Sequence, residues 1–215
     1  TQSWQAGRRA AEELDAQTRD MAAKLEAQGI PVRRESRHAS PVFLLGAVTS
    51  YARPVVEYRA LRFLPSVAKR ERKPMLTALT YFQRHHPLGP KLRLGVVTAG
   101  ARVPIGEPLR DVIRGLQSRI RRWACEASAR FGVSVVFRCT EFTVDRALTF
   151  HPHANVLYAP RAVLPEDVWR EFLCCSHRTF RAHWHDSGTL ARPEEALKYA
   201  FKPADTAALD GGQLA

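Results

Sequence analysis

The sequence lacks the features that would make it a disulfide-stapled, zinc-ribbon or membrane protein. Its four cysteines stand at 125, 139, 174 and 175 without a CxxC pair, and the adjacent Cys174 and Cys175 cannot easily serve one tetrahedral ion. No apolar run approaches the roughly 18 residues of a membrane span, and no secretory signal is visible. These absences predict a reducing, cytoplasmic setting with no membrane partner. Internal repeats and low-complexity tracts are missing too, so nothing points to a repeat array. Acids are scarce: 21 Asp and Glu face 33 Lys and Arg, for a formal net charge of +12. Such an excess favours a polyanionic partner, nucleic acid before an anionic membrane surface. A compositional bias toward arginine is the alternative source of the charge. The chain opens at Thr1 and closes on ALDGGQLA, as expected of a piece of something longer.

What is present supports a packed fold. Hydrophobic residues make up 45% of 215 positions, enough for one large domain or for one domain plus a smaller piece. Residues 3–28 read as one amphipathic helix, with Trp4, Ala11, Leu14, Met21 and Leu25 near helical spacing and Gly29 with Pro31 as its stop. Residues 31–74 show no clean period. They hold a basic connector, the apolar stretch PVFLLGAVTSY and the dense basic run SVAKRERKP, which serves equally well as a solvated loop or a DNA contact. The expected division is therefore a mainly helical accessory region, residues 1–74, and a second domain, residues 75–215.

In that second part residues 75–86 read as a helix, and KLRLGVVTAG reads as a strand. Residues 107–130 read as a helix with Leu109, Val112, Ile113, Leu116, Ile120 and Trp123 on one face, stopped by Gly132. VSVVFRCTEFTV and LTFHPHANVLYA read as strands around a turn-like DRA. Pro165 opens another helix, Asp186-Ser187-Gly188 reads as a turn, and Pro193 starts a last helix, PEEALKYAFK. This order predicts an α+β fold, an antiparallel sheet with helices packed on it.

Two groups of residues carry chemistry. His151 and His153 alternate within one strand, so both imidazoles point to the same face, with Cα atoms about 7 Å apart. Glu141 is the only acid in the preceding apolar strand, a costly position unless the carboxylate is paired or bound to a cation. Two imidazoles and a carboxylate with open positions suit manganese, magnesium or another small divalent ion; two ordinary polar histidines beside a solvated Glu141 are the alternative. The second group is EALKYAFK. On a helix Glu195 and Tyr199 are i and i+4 neighbours, and Lys202 is placed to favour the Tyr199 phenolate. A phenolate is a competent nucleophile and Glu195 a general base; an ordinary Glu–Lys surface pair beside a half-buried tyrosine is the alternative. His183-Trp184-His185 repeats the His-hydrophobic-His spacing. It falls near a helix end with no acid on a neighbouring strand, and so reads as structural or DNA-contacting. Adjacent His85 and His86 diverge.

Taken together, HPHANVL, the Glu of TEFTV and EALKYAFKPAD resemble the HUH endonucleases, most closely the rolling-circle replication initiators of plasmids and phages. The resemblance covers roughly residues 90–206, in the family's order. It implies an RRM-like nuclease fold, a divalent Mn or Mg ion held by His151, His153 and Glu141, and Tyr199 as the nucleophile. Tyr199 would nick single-stranded or hairpin DNA at a replication origin, leaving a 5′-phosphotyrosine and a 3′-hydroxyl. Glu195 would activate water to end replication, Lys202 would contact phosphate, and a host helicase and polymerase would be partners. Asn155 stands where many relatives carry a third histidine, the cysteine-rich stretch of many initiators is absent, and residues 1–74 lie outside the resemblance. A single-strand transposase or relaxase of the same superfamily, or a non-catalytic DNA-binding module, is the alternative; relaxases usually carry the tyrosine before the histidines.

A shared ion also demands a particular hairpin. An even loop centred on Arg146 and Ala147 would pair Glu141 with Pro152, on the wrong face. A three-residue loop, residues 146–148, pairs Glu141 with His153 and Thr143 with His151, which puts all three on one face. An odd loop or an equivalent bulge is therefore expected; otherwise Asn155 replaces Glu141.

Overall fold

The computed structural model describes residues 2–34, 43–45, 52–54, 56–61, 64–198 and 209–214. Its contacts fall into two compact units, Thr1–Glu71 with Pro203–Ala215, and Arg72–Lys202. Among the described residues no helix is long and apolar enough to cross a membrane.

The first unit is built on helix α1, Gln2–Glu26, with a two-stranded antiparallel sheet of β1, Phe43–Leu45, and β2, Ala52–Pro54. Met21, Ala22 and Leu25 of α1 bury against Val32, Leu64 and Val67, the apolar stripe that the helical period predicts. Thr18, fully buried, returns its hydroxyl to the Leu14 carbonyl at 2.8 Å and accepts a hydrogen bond from the Ser66 amide at 3.0 Å. That acceptor satisfies one of the orphan amides at the start of α2, Pro65–His85.

Helix α2 begins ten residues before the sequence reading places it. The run SVAKRERKP shows no clean apolar period, so it reads as lying outside the helix. Pro65 is in fact the first-turn proline, and Pro74 lies inside the helix. The basic run is thus helical rather than a loop, and position 74 is not a break between elements.

The second unit holds β3, Arg93–Thr98, β4, Val103–Pro104, α3, Leu109–Phe131, β5, Val133–Val144, β6, Thr149–Pro160, α4, Glu166–Phe180, β7, Trp184–Thr189, and α5, Pro193–Leu197. A short helix, α6, Gly211–Leu214, belongs to the first unit. The five-stranded sheet is antiparallel throughout. β6 pairs β5 on one side and β3 with β4 on the other, and β7 pairs the free side of β3. The α+β class expected from the sequence is what the chain adopts.

One face of this sheet is the core. Val97, Val133, Ala154, Val156, Tyr158 and Trp184 meet Leu116, Ile120, Trp123 and Ala127 of α3 and Phe172, Cys175 and Phe180 of α4. Trp123 is the hub: its ring centre lies 4.9 Å from Trp184, 5.8 Å from Phe180 and 5.9 Å edge-on from Tyr158. Its indole N–H donates to the Ser176 hydroxyl at 2.9 Å, so this buried polar atom has a partner.

Asp186, Ser187 and Gly188 are strand rather than turn. Asp186 pairs with Gly95 across a register shift and receives a two-pronged contact from the Arg93 guanidinium, 2.6 Å at its shortest. The alternation of more and less buried positions begun by Trp184 continues through them, and a bulge opposite Arg93–Gly95 absorbs the extra residue.

The β5–β6 hairpin closes through residues 146–148, with the Asp145 amide on the Thr149 carbonyl and the Leu148 amide on the Asp145 carbonyl. Asp145 also accepts from the Ala147 and Thr149 amides and from the Thr149 hydroxyl. These bonds hold its carboxyl below the usual range. Leu148 takes φ 54° and is 49% exposed, the left-handed position of a three-residue hairpin that normally selects glycine. Leu148→Gly should therefore raise stability by about 0.5–1 kcal/mol, the relief of a left-handed side chain less glycine's entropy in the unfolded chain. Urea denaturation measures this, and a loss of stability would show that the exposed leucyl group packs usefully.

Candidate functional site

On the sheet face opposite the core the polar residues collect in rows. The register sets Thr98 beside His153 and His153 beside Glu141, with His151 beside Thr143 one step away. In the next row, Val96 pairs with both Asn155 and His185, and Asn155 pairs with Cys139. The three-residue loop required for a common face is the one present, and Glu141, His151 and His153 share that face.

A bulge in β5 makes this compatible with a packed core. Val135 pairs with Tyr158, but Phe137 pairs with Leu157, so one residue is extra. Before the shift the odd-numbered residues of β5 join the core, as Val133 and Val135 do. After it, the odd-numbered Cys139, Glu141 and Thr143 face the histidines. Strict alternation along VSVVFRCTEFTV would have sent Glu141 to the same side as Val133.

Glu141 is enclosed, its side chain 13% exposed. Asn155, itself buried, donates from Nδ2 to Glu141 Oε1. The same oxygen lies 3.3 Å from His153 Nε2. His153 Nδ1 faces the His151 carbonyl at 3.2 Å, and a carbonyl can only accept, so this contact calls for a proton on Nδ1. In the neutral ring Nε2 then carries a lone pair aimed at a carboxylate, which needs a proton or a cation between them. Burial first, and then the neighbouring His153, Arg102 and His183, hold His151 below the ordinary imidazole value. Its lone pair is free for ligation at neutral pH.

Two of the three donors, Glu141 and His153, have the spacing of neighbouring ligands on a small divalent ion. Two atoms each about 2.1 Å from one ion, at tetrahedral or octahedral angles, stand about 3.0–3.4 Å apart, which spans the Glu141–His153 separation. The His151 and His153 ring centres are 6.3 Å apart, wider than the roughly 5 Å of two imidazoles at tetrahedral angles on one ion. A rotation of His151 would bring both to adjacent positions. As they stand, no three His, Cys, Asp or Glu side chains among the described residues converge as a metal-holding group.

The other site residues expected from the sequence are less fully described. Glu195 lies exposed in the first turn of α5 and is not part of the Glu141 cluster. Tyr199 and Lys202 lie outside the described residues. Tyr158, the remaining tyrosine of the histidine strand, is fully buried on the core face beside Trp123 and Trp184. Burial, then the Asp186 carboxylate, pushes its phenol far above the ordinary value, which disqualifies it as a nucleophile.

The sequence reading set aside the second His-hydrophobic-His triplet, yet the fold delivers it to this face. Trp184 turns into the core, His185 falls beside Val96, and His183 Nδ1 lies 3.0 Å from the Thr98 hydroxyl, next in line to His153. No sequence signal could have found this, because WHDSGT holds one apolar residue and its Asp-Ser-Gly stretch has the composition of a turn. Gly100 makes room: at φ 80°, a Cβ there would stand 2.6 Å from His183 Nε2. Arg119 secures the same loop by donating to the Ala99 carbonyl at 2.9 Å.

Comparison with protein-family models, with curated proteins and with solved structures returns no match for this chain.

Gly100→Ala should cost about 1–3 kcal/mol, through the left-handed backbone and the clash with the imidazole. His183→Gly in the same chain should recover the steric share. Urea melts of the two single variants and the double variant test this coupling; strict additivity would mean that the ring and the loop do not meet.

Proposed function

We propose that this chain is a metal-dependent, single-tyrosine DNA nickase of the HUH type, acting in rolling-circle replication. The observation that carries the reading is the common face of Glu141, His151 and His153, reached through a three-residue loop and a bulge in β5. Further support comes from the strand–helix–hairpin–helix–strand order of β3 to β7 with β6 and β3 central, the arrangement of an RRM-like nuclease. The excess of basic residues supplies the electrostatics for a phosphodiester substrate.

A divalent ion bound there would polarise the scissile phosphate and take up charge developing on its oxygens. His151, His153 and Glu141 would hold it, with Asn155 fixing the carboxylate of Glu141. The phenolic oxygen of Tyr199 attacks phosphorus as the bond to the 3′ oxygen breaks. The departing oxygen gains a proton, giving a 3′-hydroxyl and a 5′-phosphotyrosine. Glu195 takes the proton of a water in the later step that ends the cycle, and Lys202 neutralises a neighbouring phosphate.

One observation favours a second reading. Asn155 and His153 both contact Glu141 directly, a pairing that would equally suit a DNA-binding module that does no chemistry. A nicking assay with manganese separates the two, because only the nuclease gives a covalent protein–DNA adduct.

Tyr199→Phe should abolish that adduct and leave oligonucleotide affinity within a few-fold, since the hydroxyl serves chemistry rather than binding. Denaturing gels of labelled oligonucleotide after incubation with manganese decide the matter, and an adduct surviving in this variant would sink the assignment. Glu195→Ala should still nick and form the adduct but fail to hydrolyse a second site. Loss of the first nick would instead place Glu195 in the activation of Tyr199.

A further inference from the structure

Helix α2 carries five Lys or Arg residues and one acid, Glu71. Lys73, Thr77, Ala78, Tyr81, Arg84 and His85 form a solvent-exposed stripe at helical spacing, while Leu79 is buried. The stripe contains no acid. Tyr81 is 66% exposed, one of four large hydrophobic residues so placed among those described.

Tyr81 is nonetheless held. Its ring lies 4.3 Å from His85, centre to centre, tilted by 35°. One residue on, Phe82 stacks on His86 at 4.2 Å and 14°. Two ring pairs thus sit side by side at the end of a helix. The small side chains of Thr77 and Ala78, one turn back, leave a recess whose lining also includes Lys73 and Tyr81. The Gln83 side chain donates to the Leu190 carbonyl at 2.9 Å, which ties this end of the helix to the segment after β7.

An exposed aromatic ring already in contact with a second ring, beside a recess and between two cations, matches what single-stranded nucleic acid requires. A flat face stacks an unpaired base, and nearby cations pair with phosphates. Lys73 and Arg84 are about 16 Å apart along the axis, with Tyr81 between them, a spacing that suits a strand several nucleotides long. We propose that this face of α2 is a base-stacking platform for single-stranded DNA, with a base on the Tyr81–His85 pair and phosphates on Lys73 and Arg84. The proposal rests on the chain binding DNA but not on the tyrosine chemistry.

The test uses the full chain carrying Tyr199→Phe, so that no adduct forms, and a fluorescein-labelled oligothymidylate read by anisotropy. Tyr81→Ala should weaken binding about five- to hundredfold, the range for loss of one stacked base. Tyr81→Trp should keep affinity within a few-fold, with indole fluorescence quenched as the oligonucleotide binds. A duplex of similar length, whose bases are already stacked, should bind the Tyr81→Ala protein as it binds the parent. Lys73→Ala with Arg84→Ala should weaken both ligands and lower the salt slope by about two. Tyr81 is exposed, so a matching thermal melt confirms that each variant is folded. Unchanged oligothymidylate affinity in Tyr81→Ala overturns the proposal, as does an equal loss for duplex. The same holds if the substitution alters only self-association in sedimentation, which would make the face a contact between copies. A parent chain that binds no oligonucleotide would remove the DNA reading itself; one that binds with Tyr81 indifferent removes this inference alone.

Discussion

The face that the β5–β6 hairpin presents at each position is the constraint on which the site depends. A strand has two faces and a period of two, so a single inserted or deleted residue exchanges them. β5 has to give Val133 and Val135 to the core and Glu141 to the opposite face, although all three are odd-numbered. Only the extra residue between Val135 and Phe137 permits both. The loop of residues 146–148 then determines which residues of β6 those positions meet. Asp145 fastens that loop with three accepted hydrogen bonds, and the left-handed Leu148 closes it.

With these positions set, β6 divides the chemistry of the second unit. Ala154, Val156 and Tyr158 lock into an aromatic cluster around Trp123, while His151, His153 and Asn155 turn the other way. The rigidity of the first set serves the second, because side chains on a packed strand hold their spacing better than side chains on a loop. The polar face is also enclosed. Asn155 is 4% exposed, so the carboxylate it bonds to sits where a charge needs a counter-charge. A proton on His153 or a cation between the two answers that need.

Positive charge is arranged on more than one element. Arg102 acts on His151, and α2 holds its own acid-free stripe around Tyr81. Such separate features are what a long, flexible polyanion can use, since each phosphate contact adds a modest, salt-sensitive increment.

Sequence alone determined the elements that depend on local signals. The strong apolar period of α3 with its Gly132 stop, the two β-branched strands of the hairpin, and the same-face relation of His151 and His153 follow from helical and strand spacing. The need for an odd loop followed from Glu141 by geometry. The start of α2 did not, because SVAKRERKP has no clean apolar period, whereas in the fold the first turn docks its Ser66 amide on the buried Thr18 hydroxyl. Nor did the strand character of residues 186–188, where Asp-Ser-Gly chemistry imitates a turn until Arg93 claims the aspartate. The bulge in β5 and the arrival of His183 beside Thr98 belong wholly to tertiary structure. A bulge leaves no trace in a run of β-branched residues, and His183 reaches the site only because β7 pairs with β3 some 90 residues earlier in the chain.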